Sequence, residues 1–141
     1  MIEELFSTMP TPPAAVLLGW RFLAWDDAAA TLTVGFDGSG DFTNPAGNIQ
    51  GGLLAAMLDD AMGPAILAAS GGKRYGHTID LQMQFLRPVP PGPLRATGRV
   101  VRMGRSVAYL EGALYRSDGA LAARGMASAS LTDMSDIAVT G

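Results

Sequence analysis

The sequence predicts an α+β fold in which one long antiparallel sheet curls around a single central apolar helix. Three observations carry the prediction. Leu53 to Ala69 is a continuous run of Leu, Ala, Met and Ile apart from Asp59, Asp60, Gly63 and Pro64. Two strand-like segments precede that run and four follow it, separated by turn residues. The 141 residues contain no internal repeat, low-complexity tract or domain-sized linker, so residues 1–141 read as one domain with a core from about 12 to 131. A sheet wrapped on one helix buries the apolar surfaces of both at once.

The elements follow in order. Pro10, Pro12 and Pro13 separate the N-terminal stretch from the rest, and Pro12 to Leu18 fits a short helix or an extended lead-in equally. Gly19 to Trp25 is rich in aromatic residues, and Ala30 to Phe36 carries Thr31, Thr33 and Val34. Both read as strands, with Asp26-Asp27 marking the turn between them. Asp37 to Gln50, dense in Gly, Asp, Asn and Pro, is a long loop, and ordered loops of that length are often functional. From Leu53 to Ala69, Ala and Leu outnumber β-branched residues, which favours helix over strand. A helix apolar all round is buried on most sides. It is not read as a membrane span, because each Asp near a bilayer centre would cost about 2.5–3.5 kcal/mol. Gly71-Gly72 supplies its C-terminal cap.

The remainder reads as antiparallel sheet. His77 to Leu86 alternates, with Ile79, Leu81, Met83 and Phe85 on one face and Thr78, Asp80, Gln82 and Gln84 on the other. After the rigid connection from Arg87 to Pro93, Leu94 to Met103 and Ser106 to Arg116 form two strands joined at Gly104-Arg105. Ser117-Asp118-Gly119 turns the chain into a last strand, Ala120 to Leu131, and the tail beyond Thr132 is expected to fray. Two strands, one buried helix and four strands make the hotdog arrangement.

Composition narrows the function. Apolar residues make up 48% of the chain and charged residues 16%, which predicts that some apolar surface is buried between subunits. The absence of cysteine excludes disulfide scaffolds, Cys-ligated metals and thiol nucleophiles. The single histidine, His77, argues against a His-based metal site. Met1 to Phe6 begins acidic and lacks a positive region before an apolar run, so the cytoplasm is the expected location. A net charge of −3 argues against nucleic acid. Seven of the ten basic residues nevertheless lie between Lys73 and Arg105, where Asp80 is the only acid. That segment could hold a small polyanion, although solvated strand faces and loops are the commoner fate of such residues.

Asp59 is the candidate for chemistry. On a helical wheel its neighbours are Gly52, Ala55, Ala56, Met62, Gly63 and Ile66, all small or apolar. A carboxylate there is either desolvated, with a raised pKa, or opens onto a cleft that small side chains leave accessible. Asp60 lies about 100° further round the helix, so the two carboxylates are not expected to share a proton. A purely structural role, bonding backbone across an interface, competes evenly with the functional one. Ahead of Asp59, Gln50-Gly51-Gly52 places two glycines at the helix N-terminus, where unpaired N–H groups and the positive dipole end suit a developing oxyanion. Glycine lets a ligand approach that backbone, though paired glycines usually mark only a tight turn.

Asn44-Pro45-Ala46-Gly47-Asn48-Ile49-Gln50-Gly51-Gly52, running into Leu53 to Ala61, resembles the signature of PaaI-type (phenylacetate-degradation) hotdog thioesterases. That signature is Asn-x-x-Gly-x-x-His-Gly-Gly followed by a helix bearing Asp or Glu nine residues after the His. Asp59 is nine residues after Gln50, and Asn44 is six before it. Thr78-Ile79-Asp80-Leu81 and Phe85-Leu86-Arg87-Pro88 resemble the family's next strand and its end. The likeness runs from about Pro12 to Leu131.

The resemblance implies hydrolysis of an acyl-CoA, with no cofactor beyond the CoA of the substrate; Met57, Met62 and Ile66 suggest an apolar acyl group, aryl or medium-chain, but would serve equally as core. Asp59 would be general base or nucleophile, and the Gly51 N–H would hold the carbonyl oxygen. Asn44 would orient water or substrate, and Thr78 would assist the water. Gly52 would stand beside the bound thioester. The CoA phosphates would meet Arg87, Arg102 and Arg105, with Gly104 and Ser106 contributing turn contacts. Members are homodimers or dimers of dimers with sites at the subunit interface, so Asp59 would face the partner's loop.

Gln50 departs from the family's His. Its NH₂ group can hydrogen-bond a carbonyl but cannot relay a proton. His77 is no substitute, because it precedes Thr78 on the strand and points to the opposite face. Pro64 removes a helix bond to the carbonyl of Asp60, should kink the helix, and either shapes the acyl pocket or serves packing. The alternative function is a catalytically weak acyl-CoA-binding protein. A hydratase lacks its usual His here, and a purely structural oligomer leaves the Asn44-to-Asp59 spacing unexplained.

Overall fold

The computed structural model describes residues 1–137. Two short helices, α1 (Ile2–Thr8) and α2 (Pro13–Leu18), lead into strands β1 (Arg21–Asp26) and β2 (Thr31–Gly38). The long helix α3 (Gly51–Ala69) follows, then β3 (Arg74–Phe85), β4 (Gly92–Met103), β5 (Val107–Tyr115) and β6 (Leu121–Asp133). The strands form one antiparallel sheet in the order β1-β2-β4-β5-β6-β3. This is the hotdog fold expected from the sequence.

The helix sits where the sheet leaves it room. Gly98 on β4 pairs with Gly112 on β5. A Cβ at Gly98 would run into the Ala61 carbonyl, and one at Gly112 would press on Leu58 and Met62. Glycine at both positions lets the helix backbone lie against the sheet. Leu54, Met57, Leu58, Ala61, Met62, Ala65 and Ile66 then fill the core with Leu32, Val34, Phe36, Ala96, Leu110 and Leu114.

The helix ends at Gly71 and Gly72, both with positive φ, whose N–H groups cap the Ala68 and Leu67 carbonyls. Pro64 does not interrupt it: α3 runs unbroken from Gly51 to Ala69. The Asp60 carbonyl, which proline cannot bond, instead accepts a hydrogen bond from the Trp20 indole Nε1–H at 2.9 Å. Trp20 is held there by Phe6 of α1, with ring centroids 5.4 Å apart.

Several expectations are corrected. The lead-in left open is helical from Pro13, and α1 has no counterpart in the sequence reading. β6 reaches Asp133 and is followed by a 3₁₀ turn, Met134–Asp136, so the chain is ordered past Thr132; residues 138–141 lie outside the described residues.

The alternation along β3 is also broken. Thr78 pairs with Ala129 and Asp80 with Ser128, leaving Ile79 as the extra residue of a β-bulge. Directly opposed residues share a face. Thr78 therefore faces the helix side with buried Ala129, while Asp80 faces outward with Ser128. Uninterrupted alternation would have put Thr78 and Asp80 on the same outer face.

Candidate active site

Asp59 lies halfway along α3, on the side that faces β3. The bulge brings Thr78 to it, and the Thr78 hydroxyl donates to Asp59 Oδ1 at 2.7 Å. The pair opens onto a cavity of about 590 Å³. Its walls combine Phe6, Trp20, Pro64 and Leu67 with the backbone around Gly76 and the segment from Met9 to Pro12. Met57, Met62 and Ile66, which the sequence offers for an acyl pocket or for the core, are fully buried in the core. Pro64 does line the cavity.

Asp60 lines the same cavity. Its carboxyl is pushed up to about 7, first by burial and then by the charge of Asp59. Its Oδ2 is buried with no hydrogen-bond partner. Of the two alternatives offered for Asp59, the structure shows the carboxylate that opens onto a cleft, and the desolvated carboxyl is its neighbour Asp60. The exposed His77 stacks edge-on against Tyr75, with centroids 4.9 Å apart.

A second, smaller hollow of about 320 Å³ lies at the helix N-terminus. It is lined by Asn44, Gly51, Phe85 and Arg87, among others. Gly51 is the first helical residue and Gln50 its exposed N-cap, so the Gly51 N–H is one of the donors a helix leaves unpaired. A Cβ at Gly52 would meet nothing within 4 Å, so packing inside the chain does not require glycine there. Asn44 Oδ1 accepts from the N–H groups of Ala46 at 3.0 Å and Asn48 at 3.2 Å. Its oxygen therefore shapes the loop, and its NH₂ is the group left to meet a substrate. Arg87 donates to the Leu121 carbonyl at 2.6 Å.

The remaining sequence candidates lie elsewhere. Arg102 ends β4 opposite Tyr109, Gly104, Arg105 and Ser106 form the β4–β5 turn, and none of the four lines either hollow. The basic segment does not converge on one point: Arg74 bridges to Asp133, Arg99 to Glu111, and Arg95 stacks over Tyr115. Asp80, Trp20 and Phe6 were not singled out for the site by the sequence. Pro64 carried the one available signal, since a proline four residues after Asp60 demands an outside donor for that carbonyl.

The two hollows are separated along α3. Gly51 and Asp59 are eight residues apart, which at 1.5 Å per residue is about 12 Å. One carbonyl cannot touch both within a single chain.

Comparison with known proteins agrees with the fold. The sequence pattern of the Thioesterase superfamily matches residues 46–138. A Ralstonia eutropha JMP134 protein of solved structure, named as a thioesterase related to phenylacetic acid degradation, is 35% identical. The match covers 91% of this chain and 96% of that one, with a TM-score of 0.82. A thioesterase-named Streptococcus pneumoniae TIGR4 protein solved with coenzyme A shares the fold at 17% identity, over 81% of this chain and 86% of that one, with a TM-score of 0.72. A Thermoplasma volcanium protein named as an esterase is 31% identical over 78 residues, 55% of this chain and 59% of that protein. The chain thus spans about three fifths of the length of the curated relatives it matches. On the superfamily match and the Ralstonia relative together, the chain belongs to the thioesterase superfamily, among its phenylacetic-acid-degradation-related members.

Proposed function

We propose that the protein is an acyl-CoA thioesterase, cleaving an acyl thioester with water to a free acid and CoA. The observation that carries this reading is the hydrogen-bonded pair Asp59–Thr78 at the mouth of an apolar cavity. A carboxylate at 2.7 Å from a hydroxyl can hold and deprotonate a water, or attack the carbonyl itself with the hydroxyl steadying the second oxygen. Either route breaks the carbon–sulfur bond, releases CoA as the thiol and ends in the same acid. The cavity beyond Asp59, walled by Phe6, Trp20 and Leu67, suits an apolar acyl group of aryl or medium length.

The donor for the oxyanion comes from a second copy in this reading. The Gly51 N–H of one subunit and Asp59 of the other meet at one carbonyl, which the 12 Å separation within a chain forbids (about eight helical rises). β3 supports the pairing: it is a sheet edge of 12 residues with exposed Tyr75, Ile79 and Phe85. Such an edge is a template for joining another strand. Coenzyme A bound by the pneumococcal relative of the same fold supports CoA as the thiol carrier. Arg87, at the hollow beside Gly51, is then the nearest cation for its phosphates, with Arg102 near the end of β4 and Arg105 in the turn that follows.

Gln50 favours a second reading. With no proton relay at that position, the protein would bind acyl-CoA without turning it over. Thiol release from short, medium, long and aryl acyl-CoAs separates the two. Turnover that Asp59→Asn lowers by about 10³-fold or more supports the esterase. Near-normal turnover by Asp59→Asn rejects Asp59. No release from any ester, with CoA esters still raising Tm, supports the binding protein.

A further inference from the structure

We propose that Asp80 is a positioning residue that holds the β3 bulge and so aims Thr78 at Asp59. The inference rests on the reading of Asp59 and Thr78 as the reacting pair.

β3 meets β6 in two regular stretches: Arg74 to Thr78 opposite Asp133 to Ala129, and Asp80 to Phe85 opposite Ser128 to Ala123. Ile79 is the residue between them without a partner. The first stretch has a competing register. If the ladder continued without interruption from Asp80–Ser128, Ile79 would sit opposite Ala129 and Thr78 opposite Ser130. Ile79 would then face the helix and Thr78 the outside.

Burial alone favours that competitor. Ala129 is 2% exposed, whereas Ile79 in the bulge is 60% exposed. The chain adopts the bulge nonetheless, and Asp80 supplies a reason. A bulge interrupts the ladder, so an N–H opposite it needs another acceptor. Asp80 Oδ1 accepts from the Ser128 N–H at 3.0 Å and also from the Ser128 hydroxyl. One carboxylate thus takes both donors of the residue facing the bulge. Gly76 holds the first stretch from its other end, since a Cβ there would overlap Ile66. Without Asp80, the unpaired Ser128 N–H pulls toward the uninterrupted ladder, which removes Thr78 from Asp59. Asp80 touches no part of the site itself.

The experiment compares Asp80→Ala, Asp80→Asn, Thr78→Ala and the double variant Thr78→Ala/Asp80→Ala, by thiol release and by a crystal structure of Asp80→Ala. Loss of a hydrogen bond to a charged group predicts that Thr78→Ala lowers kcat by about 10- to 100-fold. Asp80→Ala should lower kcat into that same range with little change in KM. The double variant should be no slower than Thr78→Ala, because both changes remove one contact. Asp80→Asn should restore most of kcat, since its amide oxygen can accept both Ser128 bonds. In the Asp80→Ala crystal structure Thr78 should have left Asp59.

Effects that multiply in the double variant, an Asp80→Asn as slow as Asp80→Ala, or an intact Thr78–Asp59 bond in Asp80→Ala would each overturn the proposal. Should Asp80→Ala fail to fold, Ser128→Ala removes one of the two bonds and must lower kcat only where Thr78 is present. Should the unmodified protein cleave no acyl-CoA, the esterase reading falls by itself, and the crystal structure decides the role of Asp80.

Discussion

Asp59 and Asp60 are adjacent in sequence, yet the helix gives them different surroundings. Asp59 meets the Thr78 hydroxyl, whereas Asp60 turns one oxygen into a buried spot without a partner. Burial and the neighbouring charge push the Asp60 carboxyl up to about 7 from 3.8. Between those values the folded chain holds a proton that the unfolded chain has lost. The contribution of Asp60 to stability is therefore full below about pH 4, falls as pH rises toward 7, and is gone above it. The total change amounts to about 4 kcal/mol at most across that window. Asp60→Asn should remove it, so the stability of the variant relative to the parent should be greater at pH 8 than at pH 5 by about 2–3 kcal/mol. Urea titrations at the two pH values check this, and parallel shifts at both would reject a buried, uphill ionisation at Asp60.

Within elements, local rules are broken where the site is built. Pro64 should have weakened α3, and the Trp20 indole takes over the carbonyl it leaves bare. Trp20→Phe should thus cost about 1–3 kcal/mol beyond any packing change, because the Asp60 carbonyl loses its donor. In a Pro64→Ala background the restored helix N–H can bond that carbonyl, and the same Trp20→Phe change should cost distinctly less. A double-mutant cycle by chemical denaturation measures the difference, and equal costs in both backgrounds would count against the compensation. The β3 bulge is the second broken rule. It leaves Ile79 exposed where burial is worth about 1.5–3 kcal/mol, and in exchange Thr78 faces Asp59.

For the whole molecule, the proposed division of the site between Asp59 of one subunit and Gly51 of another makes a prediction that no single chain can imitate. Gly51→Pro deletes the N–H at the first helical position, where proline is tolerated, and Gln50 already has the extended ψ of 136° that a residue before proline prefers. Gly51→Pro should fold normally and lose about 10²- to 10³-fold in kcat. Mixed with Asp59→Asn after co-refolding, it should regain about a quarter of parental activity, since half the dimers are mixed and each mixed dimer has one intact site. A mixture as inactive as its components would place Asp59 and its oxyanion donor in one subunit.

The sequence by itself determined the broad design. A helix without β-branched bulk, glycines to cap it, and alternating strands around it sufficed for the hotdog fold, because burial periodicity is a local property of the chain. The spacing from Asn44 to Asp59 likewise marked one helix terminus and one carboxylate for chemistry. What the sequence could not decide depends on contacts between distant segments. Perfect alternation from Ile79 to Phe85 predicted the wrong face for Thr78, since a bulge is settled by what β6 offers across the ladder, here the Ser128 donors to Asp80. The choice of Asp60 over Asp59 as the buried carboxyl depends on how α3 is rotated against the sheet, which Gly98 and Gly112 fix by close approach. The cavity walls come from α1, α2, α3 and β3 together, and Phe6 and Trp20 meet only once the chain has closed. Periodicity is written along the chain; register, rotation and enclosure are relations between elements, and only tertiary packing sets them.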